Sequence, residues 1–221
     1  MSQAAQQTAA QQTAGQQTAG QPLVLYDSAI SGNAYKARLI LSHLGLPFRR
    51  VEFNVDDGST RTAEFLQRNP NGRVPTVQLA DGSHLWESDA ILYYFAEGTK
   101  YWPNDKRLRA QALQWMFFEQ YSHEPYVAVV RHWVAHLGKT LQNEPQLPAK
   151  IERGYQALGV MESHLKDHDF LAGPAYSIAD MALYAYTHVA HEGGFDLGRY
   201  PGIRAWLARV AAQPGHIRIT D

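Results

Sequence analysis

The chain has 221 residues, a formal net charge of -1, a pI near 6.8 and no cysteine. That balance offers no basic field for nucleic acid or an anionic membrane, and the lack of cysteine removes disulfides, thiolate metal sites and Cys-x-x-Cys redox chemistry. No apolar run approaches the ~20 residues of a spanning helix, and no basic-then-apolar leader opens the chain, so a cytoplasmic protein with neither a membrane nor a nucleic-acid partner is expected.

Residues 6–20 repeat Gln-Gln-Thr-Ala-Ala/Gly three times. A polar, charge-free tract buries too little to offset its ordering entropy, so residues 1–21 are expected to be a disordered tail. Leu23–Tyr26 is a short apolar strand. Ala37, Ile40, Leu41 and Leu44 follow the spacing of an amphipathic helix, which Gly45 caps and Leu46-Pro47 stops. Val51, Phe53 and Val55 alternate as a second strand. Asp56–Thr60 is polar loop, and Ala63–Arg68 a short helix. Asp81-Gly82 is a hairpin turn signal between strands Thr76–Leu79 and His84–Trp86. An apolar-periodic helix follows over Ala90–Ala96.

The order β-α-β-α-β-β-α predicts an α/β thioredoxin-like domain with a mixed four-stranded sheet over residues 22–98. Residues 99–106, with Gly, Pro and polar side chains, read as a linker. From residue 107 to 221 the strand signal disappears, and Arg107–Leu137, Pro148–Lys166, Ile178–Glu192 and Pro201–Gln213 carry helical periodicity, giving an all-α C-terminal domain. Ser177-Ile178-Ala179-Asp180 is a capping-box variant with a structural role. Pro125 falls inside the first helical pattern and should kink it.

One run carries more chemistry than the rest: Asn71-Gly72-Arg73-Val74-Pro75-Thr76-Val77, followed by Leu85-Trp86-Glu87-Ser88-Asp89. Pro75, at the mouth of a strand and after a turn-prone Asn-Gly, is a candidate cis X-Pro bond. A cis bond would turn the Val74 backbone outward to pair with an extended ligand as an added strand does. Ser88 reads as a helix N-cap whose neighbouring N–H groups suit an anion, and Glu87 beside it suits an ammonium group. Backbone clamp, carboxylate site and ammonium site together fit a small zwitterionic peptide.

These motifs and the domain order resemble the cytosolic glutathione S-transferases, over almost everything after residue 22, and within them the bacterial serine-type or nu-like members. The resemblance implies glutathione as co-substrate, no metal, and a homodimer. It places Ser31 where serine-type enzymes carry the hydroxyl that donates to the glutathione sulfur, and Asn33 where bacterial relatives carry a second donor. Tyr26 stands near the thiol donor of the tyrosine-type enzymes and is the rival. Ser31 and Asn33 are also favoured helix caps, and Tyr26 also suits a strand core. Arg61 and Arg73 are candidates for the glycine carboxylate of glutathione, beside Val74, Pro75, Glu87 and Ser88.

The resemblance implies an apolar electrophile site in the helical domain, and the residues beside the Pro125 kink, Tyr121, His123 and Tyr126, are the candidates for its wall. The expected activity is conjugation of glutathione to a small apolar electrophile. Two alternatives stand beside it: glutathione-dependent reduction of disulfides or peroxides, and a non-catalytic binding or scaffold protein. His132/His136, His164/His168 and His188/His191 have helical metal spacing but no third ligand in sequence, so no metal site is expected.

Overall fold

The computed structural model describes residues 22–221; the expected disordered tail, residues 1–21, lies outside them. The described residues divide into two compact units, one running to Trp102 and including Thr220–Asp221, the other Pro103–Ile219. The last two residues thus belong with the first unit rather than with the helical region.

In the first unit, β1 (Leu23–Asp27), α1 (Gly32–His43), β2 (Phe48–Glu52), α2 (Ala63–Arg68), β3 (Thr76–Gln78), β4 (His84–Trp86) and α3 (Ser88–Ala96) follow the expected order. The four strands form one sheet in the order β2-β1-β3-β4. β1 and β2 pair in parallel, Leu23 with Phe48 through Asp27 with Glu52, whereas β1–β3 and β3–β4 are antiparallel. Leu25, Val77, Leu39, Ile40, Ile91 and Leu92 are fully buried and form part of the core.

The second strand lies three residues earlier than the 51–55 expected, but its apolar face is as read. It ends at Glu52, because β1 offers no partner beyond Asp27, yet Val51, Phe53 and Val55 all pack on Val24, Tyr26, Phe65 and Val74. α1 ends as expected: Gly45 takes φ 64°, and its N–H bonds the Ser42 carbonyl. Gly72 also needs to be glycine, since at φ +60° an added Cβ would lie 2.9 Å from the Thr60 carbonyl oxygen.

The second unit holds α4 (Lys106–Phe118), α5 (Glu124–Arg131), α6 (Leu147–Leu165), α7 (Ile178–Thr187) and α8 (Pro201–Ala211). The long helix expected from 107 to 137 is broken twice by π-helical turns, Glu119–His123 and His132–His136. The first immediately precedes α5, which carries Pro125 in its first turn; a proline has no N–H to continue the ladder, so the chain slips register there. The capping box forms, with the buried Asp180 carboxylate accepting from Ser177 N–H, Ser177 Oγ, Leu171 N–H and Trp206 Nε1. Among the described residues, no helix is long and apolar enough to cross a membrane, and no group of three His, Cys, Asp or Glu could hold a metal ion.

Candidate active site

Strand register decides which residues meet. Tyr26 pairs with Thr76, and Thr76 pairs with Trp86, so the end of β1, the start of β3 and the end of β4 share one edge of the sheet. The segments 28–31, 71–75 and 87–88 therefore gather at that edge.

Ser31 is the N-cap of α1, and its Oγ accepts the Ala34 N–H at 3.2 Å. One acceptor position is used and the hydroxyl proton remains to be donated. Ser31 also sits where the dipole of a 12-residue helix favours an anion. Asn33, two residues on, meets the start of α3: Ser88 Oγ donates to Asn33 Oδ1 at 3.2 Å. This leaves the Asn33 amide nitrogen as the end of that side chain turned away from Ser88.

Ser88 is not the N-cap. Glu87 holds that position, with φ 67° and ψ 115°, and α3 begins at Ser88 itself. Glu87 is the single non-glycine residue with positive φ among the described residues. Its carboxylate accepts from Asn71 Nδ2 at 3.2 Å, which ties the 71–75 segment to the start of α3. The Val74–Pro75 bond is cis. Among the described residues, neither the N–H nor the C=O of Val74 has a hydrogen-bond partner.

Beneath Ser88 lies a residue that sequence reasoning missed. Lys36 is fully buried, with Nζ 3.1 Å from Asp89 Oδ1 and 3.3 Å from Ser88 Oγ. Burial pushes the Asp89 carboxyl up, and the Lys36 ammonium pulls it back down. The signal was present: Lys36 stands four residues before Ile40, in register with the buried stripe of α1, where a charged residue requires a partner.

A second buried charge group lies behind the Ser31 segment. Asp27 is fully buried, with Arg50 Nε 2.6 Å and Arg38 Nε 3.3 Å from its Oδ2. Burial pushes its carboxyl up, against the pull of Arg38 and Arg50. Asp27 Oδ1 accepts the Ser28 N–H, and Glu52 Oε1 accepts the Ala29 N–H.

The other candidates are placed less favourably. Tyr26 is buried, with its ring edge-on to Phe65 at 5.9 Å and Arg68 over its face at 5.1 Å. That places it in the core between sheet and α2 rather than beside Ser31. Arg61 is engaged as a brace, its Nη1 donating to the Asn71 carbonyl at 2.8 Å. Arg73 is exposed.

Tyr121, His123 and Tyr126 do not form one wall. Tyr121 is 85% exposed, whereas His123 is fully buried with Nε2 3.0 Å from Thr187 Oγ1. Two positions apart on a helix-like turn, they point to nearly opposite sides. Tyr126 is half-buried, and its hydroxyl accepts from Arg153 Nη1 at 3.0 Å. The histidine pairs are similarly occupied: His164 stacks on His168 at 4.1 Å, and His188 on Tyr184 at 4.5 Å.

The sequence model for the glutathione S-transferase N-terminal domain matches residues 30–97, and that for the C-terminal domain matches residues 115–214, together more than half the chain. The chain belongs to the glutathione S-transferase family. Among solved structures it is similar to the glutathione S-transferase of Pseudomonas fluorescens Pf-5, at 49% identity and a TM-score of 0.89, covering 91% of this chain and 100% of that one. The glutathione S-transferase of Xanthobacter autotrophicus Py2 is similar at 46% identity and a TM-score of 0.86, covering 89% and 96%. Among curated proteins, the disulfide-bond oxidoreductase YfcG of Escherichia coli K12 is 30% identical over 82% of this chain and 87% of that protein. The edge that carries Ser31, Asn33, Val74, Glu87 and Ser88 combines the unpartnered Val74 backbone with the Ser31 hydroxyl.

Proposed function

We propose that this glutathione S-transferase family member, a serine-type or nu-like one, binds glutathione at the 28–33, 71–75 and 87–88 edge, lowers the pKa of its thiol and transfers the thiolate to a small apolar electrophile. A free thiol has a pKa near ~8.5 and is only a few per cent ionised at pH 7. Lowering it by ~2 units needs about 2.7 kcal/mol of differential stabilisation, within reach of a hydroxyl donor, an amide donor and a helix N-terminus acting on one sulfur. Ser31 Oγ–H is the first donor and Asn33 the second. The Val74 backbone pairs with the peptide as an added strand would, flanked by Pro75. Glu87 holds the ammonium group, and the start of α3 at Ser88 holds the neighbouring carboxylate. Arg73, exposed beside Val74, takes the glycine carboxylate, and Arg61 acts by holding the Asn71 carbonyl. The chain works as a homodimer; light scattering on the purified protein checks this.

The observation that carries this proposal is the Ser31 hydroxyl, which already accepts its helix N–H and keeps its proton for a ligand. Disulfide reduction is the second reading. It is favoured by two relatives named disulfide-bond oxidoreductases, YfcG and YghU, the latter 27% identical. A thiolate of glutathione attacking sulfur needs no protein cysteine, and this chain has none. Turnover measured in parallel with a chloronitrobenzene and a small mixed disulfide separates the two. Retention on immobilised glutathione with neither activity would leave a binding protein.

A further inference from the structure

We infer that Glu52 is a positioning residue for Ser31, holding the backbone of the segment before it through a four-residue charge lattice. This rests on the assignment of Ser31 as the thiol donor. Hydrogen bonds from several sides fix that segment. Ser28 N–H donates to Asp27 Oδ1 at 2.7 Å, and Ala29 N–H donates to Glu52 Oε1 at 2.5 Å. Arg38 Nη2 donates to the Ala29 carbonyl at 3.5 Å, and Ser31 N–H to the Ser28 carbonyl at 3.0 Å. Two carboxylates thus grip two consecutive N–H groups, and the turn they fix ends at Ser31.

The carboxylates are joined in turn. Arg50 places Nε 2.6 Å from Asp27 Oδ2 and Nη2 3.3 Å from Glu52 Oε2. Arg38 and Arg50 each donate to the Asp221 backbone carbonyl, at 3.0 and 2.9 Å. The lattice is anchored where it is buried, at Asp27 and Arg38, and reaches the surface at Glu52, whose side chain is 52% exposed. Exposed ion pairs contribute little to stability, so Glu52 matters to the fold only weakly. It matters to Ser31 because a hydroxyl stabilises a sulfur anion only when aimed within a few tenths of an ångström.

The sign of the effect separates positioning from bare charge. Glu52 is an anion near the thiol, so deleting its charge alone stabilises the thiolate and lowers the thiol pKa. Releasing the Ala29 N–H and letting Ser31 drift does the opposite. The test uses the full chain with bound glutathione, following the thiolate absorbance against pH. Glu52→Ala should raise the bound thiol pKa by about half to one unit and, through the thiolate fraction, cut turnover at neutral pH about 1.5- to threefold. Melting temperature should hold, and the KM for glutathione should stay within twofold. Glu52→Gln keeps an acceptor for Ala29 and should titrate at or slightly below wild type. An unchanged or lowered pKa in Glu52→Ala, while Ser31→Ala raises it, overturns the role of Glu52 and leaves Ser31 standing. No shift in either variant overturns both assignments.

Discussion

The two units bury polar groups for different ends. In the helical unit several of them join one helix to another. Asp180 takes four donors at the start of α7, and Glu162 accepts the Gly202 and Ile203 N–H groups at the start of α8. His123 meets Thr187, and Arg131 pairs with Glu192 at 2.7 Å. In the first unit they lead toward one edge of the sheet. Lys36 and Asp89 lead to Ser88 and on to Asn33, while Asp27 and Glu52 lead to the segment ending at Ser31. The first set ties helix to helix; the second leads to the edge proposed as the glutathione site.

Removing Lys36 should give the largest effect. Its ammonium is fully buried against Asp89, and breaking such a pair leaves a carboxylate without its cation. Lys36→Met should therefore destabilise the protein by about 3–5 kcal/mol in denaturant titration, and Lys36→Met with Asp89→Leu should recover most of that. If the single variant unfolds like wild type, the lysine is not part of a buried lattice and the contrast between the units weakens.

The next prediction belongs to the helical unit. Burial pushes the Asp180 carboxyl up to about 6 despite its four donors. Its folded pKa exceeds its unfolded one, so the folded state binds more protons between about pH 4 and 6, and this group's contribution to stability falls as pH rises through that window. The fall is about 3 kcal/mol. Unfolding free energies measured across pH 4–7 should show that slope in wild type and lose it in Asp180→Asn. Glutathione affinity should not follow the same slope, because Asp180 serves the scaffold alone.

A smaller effect is expected at Ser88, where scaffold and site meet. Ser88→Ala removes a hydroxyl that bridges Lys36 and Asn33 at the edge proposed to bind glutathione. Calorimetric titration should show glutathione binding weakened by about 1–2 kcal/mol. Unchanged affinity in a folded variant would remove Ser88 from the site.

How much of this was legible in sequence follows the same division. Local signals gave β1, β3 and β4, α1 with its Gly45 cap, the hairpin at Asp81-Gly82 and the Ser177–Asp180 box, because each is set by a few neighbouring residues, but they put β2 three residues too late. The cis bond at Val74–Pro75 was legible from Asn71-Gly72 and a proline at a strand mouth. What failed depended on contacts distant in sequence. Ser88 read as a cap because Ser favours caps; the positive φ of Glu87 moved the cap back one residue. Tyr121 and His123 read as one wall because the π-helical turn, which sets their directions, leaves no periodic trace beyond Pro125. Lys36 and Glu52 were missed because their partners lie 53 and 23 residues away.

The account stands most directly on one titration. Wild type, Ser31→Ala and Tyr26→Phe are each saturated with glutathione, and the ultraviolet thiolate band is followed against pH. Ser31→Ala should move the bound thiol pKa up toward its free value and lower the rate at neutral pH by roughly ten- to hundredfold, about 1.4–2.7 kcal/mol for one charge-assisted hydrogen bond. Tyr26→Phe should leave the titration in place, because the Tyr26 ring lies among Phe53, Phe65 and Arg68. A titration that stays put in Ser31→Ala and moves up in Tyr26→Phe would contradict the assignment and make the tyrosine the thiol donor.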